Sequence, residues 1–77
     1  MTHNGIYSTC DFWLAAFLRV KGIKLIDVKK EHNRSVFIFE DTENRESYIK
    51  AFYNNALIEV GSLKTAVQDL KSLIHSL

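Results

Sequence analysis

The fold is decided by one stretch of the chain, Asn33-Arg34-Ser35-Val36-Phe37-Ile38-Phe39-Glu40-Asp41-Thr42-Glu43-Asn44-Arg45-Glu46. Its first part opens with a turn and continues as an apolar run, which predicts a strand over residues 35–40. Its second part begins with acidic residues and changes to a repeat of about three and a half residues, which is typical of a helix start. This change of period predicts a small domain that mixes strands and helices.

Upstream of this stretch we expect a helix and another strand. The helix is predicted over residues 10–21, with Ser8 and Asp11 as a variant of the capping box and Gly22 at its end. A strand is predicted over residues 23–30, and two adjacent apolar residues near its start indicate either a bulge or a strand covered on both faces. Residues 31–34 form the turn that joins the two strands.

Downstream, the pattern predicts a second helix over residues 43–54, ended by Asn54-Asn55, and a short third strand over residues 56–60. The final helix begins after Gly61-Ser62, and its apolar residues recur at spacings of three and four. They are Leu63, Ala66, Val67, Leu70, Leu73, Ile74 and Leu77. Such a stripe is typical of a helix face that packs on the core. At the other end, residues 1–6 are expected to be flexible, with residues 5–7 as an optional edge strand.

We therefore predict one α+β domain over residues 1–77, with the element order α-β-β-α-β-α. The first two strands form an antiparallel hairpin, and a right-handed crossover makes strands two and three parallel. The result is a three-stranded mixed sheet packed with helices. Two strand orders stay open: 2-1-3 follows from this connectivity, whereas 1-2-3 agrees with the apolar residues on both faces of strand two. Which sheet face the helices cover is also open.

Composition limits the classes of function. A chain of 77 residues, of which 47% are apolar, can bury a small core that a homodimer would strengthen. The net charge is +1, so no overall field attracts nucleic acid or an acidic partner. The lone Cys10 excludes an intrachain disulfide and fits a reducing, cytoplasmic setting. No apolar run approaches the roughly 20 residues that cross a membrane, and no signal peptide is evident, so we expect no membrane contact.

Groups suited to catalysis or metal binding are few. Cys10 lies at a predicted helix N-terminus, where it would be a nucleophile assisted by His32 or His3, or simply a small buried side chain. Neither of these histidines, nor His75, has a partner at the spacing that metal ligands adopt on a helix. The three glycines are isolated, so no phosphate-binding loop is present. We expect no catalytic residue, no cofactor and no metal.

A cluster of basic residues is the candidate surface for nucleic acid. It consists of Arg19, Lys21, Lys24, Lys29, Lys30 and Arg34. Only Asp27 and Glu31 oppose it, and such a hairpin would neutralise several phosphates. Tyr7 and Trp13 are possible stacking groups, although no pair of aromatic residues is clearly exposed on a strand. The alternative is an ordinary solvated hairpin beside the acidic helix start of residues 40–46.

The run from Ser8 to Gly22 resembles the signature S-T-x-D-x-x-L-A-A-x-L-x-x-K-G, which opens a small prokaryotic and phage family catalogued as a domain of unknown function. Residues 36–41, residues 51–54 and the closing helix are similar to that family too. The chain departs from it at Gly61-Ser62, where relatives carry an Asp. The resemblance implies a stand-alone small protein that is often carried by phages or other mobile elements. It implies no known activity and no catalytic residues.

The leading hypothesis is a non-enzymatic binding module that acts by protein–protein interaction. Nearly all residues of the first helix are apolar, so either it is buried on several sides or one of its sides is meant for a partner, and this hypothesis takes the second alternative. Trp13, Phe17 and Phe12 are the candidate contacts, and Trp13 is the expected hot spot. In a phage the partner would be a host protein, for example a defence nuclease that the module inhibits. A nucleic-acid accessory protein is the first alternative, and a Cys10-dependent enzyme is the second.

Overall fold

The computed structural model describes residues 5–77. Its elements are β1 (Ile6–Thr9), α1 (Phe12–Val20), β2 (Leu25–Glu31), β3 (Arg34–Glu40), α2 (Arg45–Tyr53) and α3 (Val60–His75). The predicted class is confirmed, because these elements form an α+β domain in which a three-stranded sheet packs against helices. Residues 1–4 of the segment expected to be flexible lie outside the described residues, whereas Ile6 already belongs to β1.

The third strand of the sheet is not where the main prediction put it. Residues 56–59 have no regular secondary structure, and Val60 opens α3. The sheet is completed by β1, at the optional edge strand near the N-terminus. The observed order is therefore β-α-β-β-α-α rather than α-β-β-α-β-α.

The sheet is antiparallel, with the strand order β1-β3-β2. The central strand is β3, which pairs through Phe39 with Tyr7 and through Phe37 with Val28. A central position for this strand agrees with its apolar residues on both faces. The predicted parallel arrangement and the order with the first hairpin strand in the middle are wrong, because residues 56–60 form no strand and β3 lies between β1 and β2.

The hairpin between β2 and β3 is closed by His32 and Asn33, whose φ angles are 48° and 66°. Two successive left-handed residues form a type I′ turn, whose twist matches that of the flanking strands. The register shifts between Leu25 and Asp27, so Ile26 is bulged. The bulge that the two adjacent apolar residues indicate is thus present.

The core lies between one face of the sheet and the helices. Val28, Phe37 and Phe39 are buried on that face together with Leu18 of α1 and Leu70 of α3. α1 contacts both α2 and α3, so it occupies the middle of the helical layer. The side chains on the opposite face of the sheet do not belong to this core cluster. The helices therefore cover the face that carries the two core phenylalanines.

The start of α1 differs from the predicted one. The helix begins at Phe12, and Asp11 is its N-cap: the Oδ1 atom of Asp11 accepts a hydrogen bond from the Leu14 N–H at 3.1 Å. The Asp11 N–H in turn donates to Oγ1 of Thr9 at 3.1 Å. Ser8 does not cap the helix because it is part of β1 and pairs with Ile38. At the other end, Gly22 adopts a φ of 89°, as expected of a residue that ends a helix.

Candidate functional site: two exposed apolar surfaces

Most of the large apolar side chains that the structure leaves exposed fall into two groups. The first, which we call the Trp13 surface, comprises Trp13, which shares a recess with residues of the loop between α2 and α3, and the exposed residues on or next to that loop, Tyr53, Leu57 and Val60. The second, which we call the β2–α3 groove, comprises Ile26, Leu73 and Leu77. Scattered exposed apolar residues are normal on proteins, but grouped ones mark sites of interaction.

The Trp13 surface is built around a recess of about 220 Å³. The recess is lined by Trp13, Phe17, Phe52, Asn55, Ala56, Ile58 and Leu63. Trp13 is 57% exposed, and the edge of its ring meets Phe12 with 5.6 Å between the ring centroids. Beneath it, Phe17 packs on Phe52 at 5.5 Å. The partly buried ring of Phe12 therefore contacts the exposed indole, and Phe17 and Phe52 line the same recess.

Of the three predicted contact residues, only Trp13 is available to a partner. Phe17 is 4% exposed and belongs to the buried interior. Phe12 is partly buried, and its ring lies edge-on to Phe37 with 6.1 Å between the centroids. An apolar helix circumference thus does not produce an apolar contact face here, because the sheet and two helices enclose most of it.

The sequence prediction missed three members of the Trp13 surface. Leu57 and Val60 were assigned to a strand, although Leu57 is 94% and Val60 is 76% exposed. Tyr53 is 66% exposed at the end of α2, where the helical pattern places it on the packed stripe. Apolar residues that follow a turn are as compatible with a buried strand as with an exposed loop. The local sequence pattern therefore does not distinguish these two structures.

Hydrogen bonds hold both ends of the loop that carries Leu57. At its start Asn55 has a φ of 59°, and the Ala56 N–H donates to the Ala51 carbonyl oxygen at 3.0 Å. This is the Schellman pattern that ends a helix, in line with the predicted left-handed cap. At its end the hydroxyl group of Ser62 donates to Oε1 of Glu59 at 3.0 Å, and α3 begins at Val60, before the predicted start. Leu57 is thus presented on a short loop with fixed ends.

Two of the six basic residues, Arg19 and Lys21, contact side chains of the helices. Arg19 forms an ion pair with Asp69 of α3, with 3.3 Å between Nη2 and Oδ2. The ammonium group of Lys21 lies 5.4 Å from the centroid of the Phe17 ring. The carboxylate of Asp69 offsets the charge of Arg19, whereas the ring contact leaves the charge of Lys21 in place.

The remaining basic residues point in different directions. Because Lys29 pairs with Val36 and Lys30 pairs with Ser35, these two lysines lie on opposite faces of the sheet. Arg34 is opposite Glu31, which offsets its charge. Lys24 precedes β2 and is exposed. The six residues do not form one surface, and nucleic-acid binding stays a prediction.

Cys10 is a free, exposed thiol in the connection between β1 and α1. The interpretation as a small buried side chain is wrong, because the helix begins two residues later. The recess beside the thiol is lined by Phe12, Arg34, Ser35, Phe37 and Ile74. His32 lies in the hairpin turn, and His3 lies outside the described residues. Catalysis that depends on Cys10 stays a prediction.

The best-formed polar contact joins β1 to the start of α2. The guanidinium group of Arg45 donates to both carboxylate oxygens of Asp41, at 3.0 and 3.3 Å, and lies 4.6 Å from the centroid of the Tyr7 ring. These hydrogen bonds to the Asp41 carboxylate raise the pKa of Arg45 above its usual range. The guanidinium group of Arg45 therefore stays charged. Its contacts link β1 to the start of α2, and it is not suited to proton transfer.

Within residues 5–77, no three His, Cys, Asp or Glu side chains lie close enough together to hold a metal ion. Over the same residues, no helix combines the length and apolar character that are needed to span a membrane.

Comparison with protein families gives one result. The model of the family described as Domain of unknown function (DUF5659) matches residues 4–76. The chain belongs to the DUF5659 family. The expected membership in a family of unknown function is thereby confirmed, and the match includes both the opening run and the closing helix. No curated protein and no solved structure gives a significant match to this DUF5659 chain. Its function must therefore be argued from its own surfaces.

Proposed function

We propose that this DUF5659 protein is a non-enzymatic module that binds another protein through the Trp13 surface. The observation that carries the proposal is Leu57, a large aliphatic side chain that is 94% exposed on a loop held at both ends. Burial of such a side chain by a partner would contribute about 1.5–3 kcal/mol. Because the loop is already fixed, little of that gain is lost in ordering it.

The recess next to Leu57 suits a protein side chain better than a small-molecule ligand. Its volume of about 220 Å³ is smaller than that of ligand pockets, which are typically about 300–1,000 Å³. None of the residues that line it is charged, so it offers no charged group that would orient an ionic substrate. Trp13 stands at its rim, and tryptophan is enriched among residues that dominate protein interfaces.

The resemblance of the opening signature to a family carried by phages and mobile elements supports a more specific form of the proposal. In that form the module is encoded by a phage or mobile element, acts in the cytoplasm and binds a host protein. A defence nuclease that is inhibited by the contact is one candidate partner.

The test compares two exposed aliphatic residues on different sides of the molecule. Leu57 belongs to the Trp13 surface, whereas Ile6 is 62% exposed in β1, opposite Glu40. Tagged wild type, Leu57→Ser and Ile6→Ser are used to capture proteins from a host lysate, with quantification by mass spectrometry. We expect at least one protein to be enriched by wild type and Ile6→Ser and to be captured about tenfold less by Leu57→Ser.

Trp13→Ala provides a second variant of the same surface. Its capture should fall as in Leu57→Ser while its circular dichroism spectrum stays native, since more than half of the indole is in solvent. The proposal is wrong if no protein is enriched by wild type, or if both serine variants and Trp13→Ala capture the same proteins as wild type.

A further inference from the structure

The outer edge of β2 is unpaired in the described chain. β2 is the last strand of the sheet, and its register is given by β3 alone. Since the two-residue turn closes on the pair Glu31 and Arg34, the alternation of an antiparallel ladder directs the N–H and C=O groups of Val28 and Lys30 away from β3. One hydrogen bond agrees with this: the Val28 N–H donates to Oδ1 of Asp27 at 2.8 Å instead of to β3.

The charges along this edge are complementary to those of a second copy. Two antiparallel β2 strands related by a two-fold axis at Val28 place Asp27 of each copy opposite Lys29 of the other. If the axis were at Lys29, this residue would face itself and Asp27 would face Glu31. Opposite charges in such cross-strand pairs are stabilising, and like charges are destabilising. The charges therefore favour the pairing centred on Val28.

Apolar side chains are available on the helical side of the same edge. Ile26, Leu73 and Leu77 are 50%, 40% and 56% exposed and line the β2–α3 groove, an open volume of about 620 Å³. A two-fold axis perpendicular to the sheet keeps the helices of both copies on one side, so the two grooves would meet above the junction. Burial of these side chains adds apolar area, which a domain of this size lacks on its own.

We propose that two copies of this chain associate through β2 and form one continuous antiparallel sheet centred on Val28. In the single chain the Asp27 carboxylate accepts the hydrogen bond from the Val28 N–H. In the dimer the Val28 carbonyl oxygen of the second copy accepts it, and the carboxylate is released to pair with Lys29 of that copy. This interface is separate from the Trp13 surface and does not depend on the proposed function.

Reversing the charge of Asp27 or of Lys29 tests both whether β2 forms the interface and whether the pairing is centred on Val28. Asp27→Lys places lysines opposite each other twice, and Lys29→Asp does the same with aspartates. By sedimentation equilibrium, we expect wild type to dimerise and each variant to dimerise at least tenfold more weakly, with unchanged circular dichroism. An equimolar mixture of the two variants should form a heterodimer of near wild-type affinity, because both cross-strand pairs are then of opposite charge.

Lys64→Asp is the control, because it changes the net charge as Lys29→Asp does but lies on α3 and should leave dimerisation unchanged. The proposal is overturned if wild type is monomeric throughout the concentration series. It is also overturned if both reversals dimerise like wild type, or if their mixture associates no better than each alone. Loss of the dimer in Leu57→Ser, with both reversals still dimeric, would assign self-association to the Trp13 surface instead.

Discussion

Two apolar segments of this protein have opposite environments. In α1, Leu14 and Leu18 are 2% and 0% exposed, whereas Leu57 and Val60, between α2 and α3, are largely in solvent. α1 is enclosed by the sheet and by two helices. The later segment is not part of the sheet, in which β1 and β2 occupy the two edges of β3. Apolar composition thus sets the cost of exposure, but the neighbours that the fold supplies decide whether a segment is buried.

Because one segment is buried and the other exposed, truncating a side chain in each should change the free energy of unfolding by very different amounts. Phe17→Ala removes a buried ring from α1 that packs on Phe52, and we expect it to lower the free energy of unfolding by about 3–5 kcal/mol. Leu57→Ala removes an exposed side chain and should change the same quantity by less than about 0.5 kcal/mol. Urea unfolding followed by circular dichroism measures both. Equal losses would show that Leu57 is packed.

A second variant tests whether α3 encloses α1 as part of the core. Leu70 is 0% exposed and packs in the same cluster as Leu18. Leu70→Ala should cost about 2–5 kcal/mol, which is a large part of the roughly 5–15 kcal/mol typical of whole domains. Thermal unfolding measures the loss. Unchanged thermal stability would make α3 peripheral and would leave one side of α1 open to a partner.

The smallest expected effect concerns the residue that starts α1. Asp11→Ala removes the carboxylate that accepts the Leu14 N–H, and we expect a loss of about 1 kcal/mol in the free energy of unfolding. Ser8→Ala is the matched control, because Ser8 is exposed in β1 and should cost less than about 0.5 kcal/mol. Urea unfolding separates them. A larger loss for Ser8→Ala would support the capping arrangement that the sequence predicts.

The elements with strong local signals were predictable. The hairpin, the three helices and the α+β class follow from periodicity and turn residues, since Asn33, Gly22 and Asn55 all adopt the left-handed backbone that such positions need. β1 was foreseen only as an option, because a four-residue strand with alternate exposure is nearly indistinguishable from a loop. The main prediction placed the third strand at residues 56–60, where the composition suits a strand, but β1 completes the sheet instead.

The candidate site was predictable only in part. Trp13 was identified, because a large aromatic residue in an apolar helix is an obvious candidate contact. Phe17 was assigned to the surface and is buried, and Leu57 was assigned to a third strand and is exposed outside the sheet. The free edge of β2 could not be located before the strand order was known, because any of the predicted strands could have been at the edge.

The sequence by itself determined the class of the domain, the positions of the turns and the apolar stripe of the final helix, because these depend on residues a few positions apart. The tertiary structure decided which strand is central, which apolar residues reach solvent and which edge is free. These outcomes depend on pairing between distant segments: β1, and not the segment with Leu57, pairs with β3 and completes the sheet.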